Sequence, residues 1–159
     1  MRNFNLDNCV VTLRRCKVTL RIMNSKEDII KIILERLPQT QAIYLFGSYG
    51  TDDEWPDSDA DIAVLLPDEQ AQEAGSLNMS KSRFELESLL KKDVDLINLR
   101  LVSTVFQKEI VVADRRIFCA DQYAADKFEM LTFSYYQKLN EEREQILEEF
   151  FKTGKAYTV

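Results

Sequence analysis

The alternation of short apolar segments with longer helical ones is the feature of this sequence that most restricts its fold. Four candidate strands cover residues 42–46, 60–66, 93–99 and 116–119. Four segments with helical patterns cover residues 25–37, 76–92, 103–112 and 121–152. Strands that alternate with helices are typical of α/β folds. We therefore predict an α/β (α+β) fold, with a small mixed sheet of three to four strands flanked by helices and a long C-terminal helix.

The first 22 residues differ in charge from the rest of the chain. They hold five bases and one acid, a net +4, whereas the whole chain carries −6. Asn24 and Ser25 follow Met23 and are suited to begin the first helix. We interpret residues 1–22 as an N-terminal extension, which is either upstream of a natural start at Met23 or a basic arm that contacts a partner. Residues 23–159 are predicted to form a single domain.

The chain contains no histidine. That excludes Ser-His-Asp and Cys-His catalysis and histidine-ligated zinc, so any catalysis must use other side chains or a metal held by oxygen. Cys9, Cys16 and Cys119 lack C-x-x-C spacing, and we expect buried free thiols in a reducing compartment. No stretch reaches the ~20 apolar residues of a membrane span, and no signal peptide is evident. These features predict a cytoplasmic protein that does not bind membranes.

Six acids and no base lie in residues 47–61. The loop acids expected to remain in water include Asp52, Asp53 and Glu54. Asp59 and Asp61 differ because they stand two residues apart at the start of an apolar strand, so their side chains project from one face. Aspartate is unfavourable in strands, and unfavourable local choices of this kind mark functional sites. Carboxylate oxygens in such a pair suit Mg²⁺ or Mn²⁺.

A third carboxylate lies on the next candidate strand. Asp95 is embedded between apolar residues, whereas Asp93 stands at the strand entrance, where a capping role explains it equally well. We therefore select Asp95 over Asp93. Three strand-borne aspartates that converge on one point form a two-metal arrangement for in-line displacement at phosphorus. Gly47 and Ser48, which end the first strand, offer close backbone approach and donors to phosphate oxygens, although a Gly-Ser pair alone is more often a simple turn.

Together these positions form a G-S-x10-D-x-D pattern, made of Gly47-Ser48, ten residues, and Asp59-Ala60-Asp61. The pattern resembles the signature of the DNA polymerase β-type nucleotidyltransferase superfamily. Its flanking residues are similar to the minimal nucleotidyltransferases, MntA-type antitoxins of HEPN/MNT toxin–antitoxin modules. The resemblance covers about residues 25–120. It implies that two Mg²⁺ ions bind to Asp59, Asp61 and Asp95, that Asp95 helps to deprotonate the acceptor hydroxyl, and that Gly47 and Ser48 hold the β- and γ-phosphates of ATP.

The resemblance also implies an activity. The protein would be an antitoxin that transfers AMP from ATP to a tyrosine hydroxyl of a cognate HEPN-domain toxin and releases pyrophosphate. A nucleic-acid acceptor is not expected, because the chain is acidic and has no room for a second large domain. Two alternatives remain open: an antitoxin that neutralises the toxin by binding alone, and a nucleotidyltransferase that acts on a small-molecule hydroxyl.

Two groups of aromatic residues allow more than one interpretation. A stripe along the last helix is predicted to be buried and consists of Phe128, Leu131, Tyr135, Leu139, Ile146 and Phe150. Off the stripe lie Phe133, Tyr136 and Phe151, which would instead mark an interface. Trp55 lies among the six acids of residues 47–61, which we name the acidic loop. It either fixes this loop over the site or anchors a partner.

Overall fold

The computed structural model describes residues 25–154. Helix α1 covers residues 25–36. It is followed by β1 (Ala42–Phe46), β2 (Ala60–Leu65), α2 (Asp68–Ala74), α3 (Lys81–Leu90), β3 (Val94–Asn98), α4 (Thr104–Val112), β4 (Arg116–Cys119) and α5 (Gln122–Thr153). A single 3-10 turn, Leu99–Leu101, separates β3 from α4. The predicted extension over residues 1–22, with Cys9 and Cys16, lies outside the described residues.

The four strands form one sheet in the order β3-β2-β1-β4. Strand β1 is antiparallel to both of its neighbours, β2 and β4. Strand β2 is parallel to β3. The sheet is therefore mixed, as the sequence predicted, and all four candidate strands are confirmed to within one residue or two.

Successive residues of a strand point to opposite faces of the sheet. Both faces therefore carry apolar side chains, and helices cover both of them. On one face, Ile29 of α1 and Leu86 of α3 belong to a buried cluster with Ile62. On the other face, Ile110 of α4 and Phe128 of α5 belong to a second cluster, which contains the strand residues Ala42, Tyr44, Ala63 and Leu65. The carboxylates described below extend from this second face.

The region after β2 differs from the prediction. One helix was expected over residues 76–92. The structure contains a second, unpredicted helix before it, α2, which ends where Gly75 adopts a φ of +59°, a value that favours glycine. Helix α3 begins later, where the Ser80 hydroxyl accepts from the Arg83 N–H as an N-cap. On α3, Leu86 is buried, whereas Phe84 and Leu89 are 46% and 40% exposed. The sequence therefore predicted a helix in this region, but it began that helix at residue 76 rather than at Lys81 and missed α2.

The long helix α5 is confirmed, with Asp121 as its N-cap and Gly154 in the left-handed conformation at its end. The stripe predicted to be buried is only partly so. Phe128 is buried, whereas Tyr135, Ile146 and Phe150 are exposed. These side chains are exposed because α5 is longer than the elements that it packs against and extends past them. Within residues 25–154 no helix is long and apolar enough to cross a membrane, and Cys119 is a free, half-buried thiol rather than a fully buried one.

Candidate active site

A row of three paired residues sets the geometry of the site. Asp61 of β2 pairs with Phe46 at the end of β1 and with Asp95 of β3. Residues opposite each other in neighbouring strands share a face, so the carboxylates of Asp61 and Asp95 are neighbours. Asp59 lies just before β2 and, two residues from Asp61, projects to the same side. The structure thus brings the three predicted carboxylates to one end and one face of the sheet.

The charges of these carboxylates act on one another. Burial raises the pKa of the Asp61 carboxyl, and the negative charges of Asp95 and Asp59 raise this pKa further. The guanidinium of Arg115 acts in the opposite direction without cancelling the shift. Negative charge at the start of β2 is therefore only partly compensated by the protein, which is the electrostatic condition that a bound cation relieves.

The donors at this edge suit Mg²⁺ or Mn²⁺, because they are all carboxylate oxygens. Within residues 25–154, no group of three acidic or cysteine side chains is close enough to hold one ion as placed. Magnesium sites that act on nucleotides need only one or two carboxylates from the protein, because substrate phosphates and water supply the remaining ligands. The residues present therefore fit the predicted ions.

Gly47 is required at its position for two reasons. Its φ of +61° is a conformation that non-glycine residues adopt only with strain. A Cβ atom at this position would also lie 2.0 Å from Oδ2 of Asp61. The turn continues through Ser48, whose carbonyl oxygen accepts from the Thr51 hydroxyl at 2.6 Å and from the Thr51 N–H at 3.0 Å. The Gly47–Ser48 turn therefore packs directly against the carboxylate row.

Arg115 holds this turn in place, and nothing in the local sequence indicated it. Its Nη1 donates to the Gly47 carbonyl at 2.9 Å, and its Nη2 donates to the Tyr49 carbonyl. Burial lowers the pKa of the Arg115 guanidinium, while the charges of Glu54 and Asp61 act in the opposite direction. The contact spans 68 residues of chain, so only the fold brings the two parts together.

Glu54 does not behave as predicted. The expectation that it remains in water is wrong, because its carboxylate accepts from the Gly50 N–H at 2.8 Å and forms an ion pair with Lys92 at 2.8 Å. Lys92 also donates to three carbonyl oxygens of the acidic loop, those of Trp55, Pro56 and Ser58. Burial would raise the pKa of Glu54, but these hydrogen bonds and the charge of Lys92 hold it below the usual range. We name this pair the Glu54–Lys92 clamp.

The remaining loop residues are arranged more simply. Asp52 and Asp53 are exposed, as predicted. Trp55 is 75% exposed, so the clamp and not the indole fixes the loop. Asp93 is also exposed, and its carbonyl oxygen accepts from the Ala60 N–H at the start of β2. The selection of Asp95 over Asp93 as the third site carboxylate stays a prediction.

The Polymerase beta nucleotidyltransferase family matches residues 27–123, more than half of the chain. The chain belongs to this family. It is 34% identical, over 125 residues, to the protein adenylyltransferase MntA of Shewanella oneidensis, a match that covers 79% of this chain and 86% of that protein.

Two solved structures are similar throughout most of their length. One is a crystal structure of a toxin–antitoxin complex with AMP-PNP, with 35% identity, a TM-score of 0.61, and coverage of 79% of this chain and 98% of that one. The other holds a tri-AMPylated Shewanella oneidensis HEPN toxin in complex with an MNT antitoxin. Its matched chain has 34% identity, a TM-score of 0.59, and coverage of 81% of this chain and 98% of that one.

In this nucleotidyltransferase, the family match extends from α1 to the first residues of α5. It includes the Gly47–Ser48 turn, the carboxylate row, the Glu54–Lys92 clamp and Arg115. The identification made from the G-S-x10-D-x-D pattern, and with it the nucleotidyltransferase-like fold, is confirmed. Most of α5 lies outside the match, so its exposed apolar residues need a separate explanation.

Proposed function

We propose that this nucleotidyltransferase is an antitoxin that transfers AMP from ATP to a tyrosine hydroxyl of a HEPN-domain toxin. The observation that carries the proposal is the pairing of Asp61 with Asp95 beside the Gly47–Ser48 turn, in a chain one-third identical to a protein adenylyltransferase. The reaction is placed in the cytoplasm, where ATP is available and where the free thiol of Cys119 stays reduced.

In this proposal Asp59, Asp61 and Asp95 hold two Mg²⁺ ions, which Mn²⁺ can replace. When bound, the ions neutralise the triphosphate and lower the pKa of the acceptor hydroxyl. The Gly47–Ser48 turn binds the β- and γ-phosphates through main-chain N–H groups and the Ser48 hydroxyl, while the missing Cβ of Gly47 leaves room for the Asp61 carboxylate beside it. This places the α-phosphate toward the carboxylate row.

The transfer is an in-line displacement. The tyrosine Oη forms a bond to the α-phosphorus, the bond from phosphorus to the bridging oxygen of the β-phosphate breaks, and pyrophosphate leaves. Asp95 helps to remove the tyrosine proton, because it is the most accessible carboxylate of the paired row, whereas Asp61 is half-buried. Arg115 and the Glu54–Lys92 clamp touch neither nucleotide nor acceptor in this scheme, and they position the turn and the loop.

The proposal is tested by incubating the full chain with ATP, Mg²⁺ and its HEPN-domain toxin, followed by intact-mass and peptide analysis of the toxin. The expected result is a mass increase of one or a few AMP units on a tyrosine. Excess EDTA and the double variant Asp59→Asn, Asp61→Asn should each prevent it. A toxin that is neutralised while it remains unmodified would replace this proposal with neutralisation by binding alone.

A further inference from the structure

Helix α5 runs toward the end of the sheet that carries the site. Near the start of α5, the Phe128 ring centroid lies 5.4 Å from the guanidinium carbon of Arg100, which donates to the Leu66 carbonyl just past the end of β2. Eight residues further along α5, Tyr136 contacts Lys108 of α4, and Phe106 of the same helix α4 packs edge-on against Phe46 at the end of β1. Asp61 lies at the opposite end of β1 from Ala42, because it pairs with Phe46. The helix therefore points from the far end of the sheet to the catalytic edge, on the same face as the carboxylates.

The last part of α5 extends beyond the packed elements. The Tyr136 ring contacts Lys108 of α4, with 5.3 Å from Nζ to the ring centroid. From Asn140 to Gly154, every side chain that the structure describes is exposed. A helix rises 1.5 Å per residue, so residues 140–153 add roughly 20 Å beyond the domain surface. We name residues 140–153 the α5 overhang.

The overhang carries an apolar stripe. Ile146 and Phe150 are four residues apart and continue the helix face that Phe128 and Leu139 begin. They are 40% and 45% exposed, and the adjacent Phe151 is 81% exposed. Large apolar side chains grouped on an exposed helix face are typical of an interaction surface. The stripe is thus the continuation of a core-facing surface into solvent.

Charge and area indicate what kind of occupant fits this stripe. The overhang holds five glutamates, one arginine and one lysine, a net −3, so two copies of the chain would repel each other. The exposed apolar area of the stripe is roughly 400 Å², about half of what one side of a standard interface buries. A stable complex therefore needs further contacts elsewhere on this chain. Trp55, which is exposed, offers such contacts at the same end of the sheet, because its carbonyl oxygen accepts from Lys92 just before β3.

We propose that the α5 overhang is the docking surface for the protein that carries the acceptor hydroxyl, through an apolar surface rimmed by basic residues on that protein. The inference rests on the proposed function, because it concerns the partner of that site. A protein seated on the overhang is held at the same end of the sheet as Asp61 and Asp95, which raises the effective concentration of its acceptor group at the site. The overhang thereby determines which protein is modified.

The test compares two double variants of the full chain. Ile146→Ser with Phe150→Ser removes the centre of the stripe. Phe84→Ser with Leu89→Ser is the matched control, because it likewise removes one phenylalanine and one branched aliphatic residue, at 46% and 40% exposure, from α3 on the opposite face of the sheet. For each variant, binding of the HEPN-domain toxin and of AMP-PNP is measured by calorimetry, and the KM for the toxin is measured in the transfer assay.

The stripe variant should bind the toxin at least tenfold more weakly and raise the KM for the toxin, with AMP-PNP binding unchanged. The control should match the unmodified chain. Unchanged toxin binding by the stripe variant, or an equal loss in both variants, would overturn the inference. Dimerisation of the unmodified chain that the stripe variant abolishes would assign the surface to a second copy instead. Failure of the proposed function is distinguishable, since the unmodified chain would then bind the toxin but transfer no AMP.

Discussion

Gly47 and Asp61 are in such close contact that a single methyl group cannot be placed between them. The position of a Cβ on residue 47 lies 2.0 Å from Oδ2 and 2.9 Å from Cγ of Asp61. This contact joins the two halves of the G-S-x10-D-x-D pattern. The turn to which the proposed function assigns the phosphates and the carboxylate to which it assigns a metal ion are therefore one packed unit.

Substitution Gly47→Ala should displace the Asp61 carboxylate and reduce transfer activity by at least a hundredfold. Its backbone strain alone costs about 1 kcal/mol. Gly75→Ala is the matched control, because Gly75 has nearly the same φ of +59° with nothing within 4 Å of an added Cβ. Thermal unfolding and transfer assays should show both variants destabilised and only Gly47→Ala inactive. Equal activity in the two variants would contradict the contact.

Asp61→Asn should increase stability while it abolishes activity. The raised pKa of Asp61 means that the folded chain holds this proton more tightly than the unfolded chain, so ionisation opposes folding. The gain should be absent below about pH 3.8, where both side chains are neutral, and should increase as the pH rises above that value. Melting temperatures in EDTA from pH 3 to pH 8 measure it. A variant that is less stable than the parent at pH 7 would show that the carboxylate is compensated in the folded state.

The Glu54–Lys92 clamp predicts the opposite pH dependence. Since the pKa of Glu54 is lowered, its ionised form stabilises the fold above the usual value of 4.5, and this contribution is lost as the pH falls through the folded value. Glu54→Gln should therefore cost on the order of 1–2 kcal/mol at pH 7 and nothing in strong acid. Asp52→Asn, at an exposed position of the same loop, is the control and should be neutral. Denaturant unfolding at pH 7 and pH 3 distinguishes the two.

Arg115→Gln should raise the KM for ATP at least tenfold with a smaller effect on kcat. The substitution removes charged donors to the carbonyls of Gly47 and Tyr49, so the turn loses its fixed position, while the carboxylates remain. Arg116→Gln is the control, because the Arg116 guanidinium pairs with Asp126 and Glu129 of α5 and not with the turn. Steady-state kinetics should show an unchanged KM for the control. A fall in kcat alone would mean that Arg115 acts on the transition state.

These positioning residues mark the limit of what the sequence predicts. The strands and the chemistry-bearing residues Gly47, Asp59, Asp61 and Asp95 follow from local patterns, because alternation and a broken propensity rule are visible in a few consecutive residues. Arg115 and Lys92 act through contacts with residues 68 and 38 positions away, respectively. Glu54 is one acid in a run of exposed acids, and its ion pair with Lys92, which is distant in the sequence, distinguishes it from them.

The secondary structure shows the same limit. Helix α2 has only seven residues and directly follows Pro67. Its sequence pattern is too short to distinguish a helix from a loop. It is held by the Asn98 side chain, which donates to the carbonyls of Ala71 and Gly75 across the fold. The sequence also could not predict that the stripe of α5 is exposed, because apolar residues have the same helical spacing whether or not another element covers them.

The most direct test of the central claim is a titration of toxin activity with decreasing amounts of this chain. With ATP and Mg²⁺ present, an amount far below one equivalent should silence all of the toxin, because a transferase turns over. The toxin should stay silent after the two proteins are separated, since the phosphodiester to tyrosine is covalent. If silencing needs one full equivalent, proceeds without ATP and survives Asp59→Asn with Asp61→Asn, then the toxin is neutralised by binding, and the carboxylate row is not the means of neutralisation.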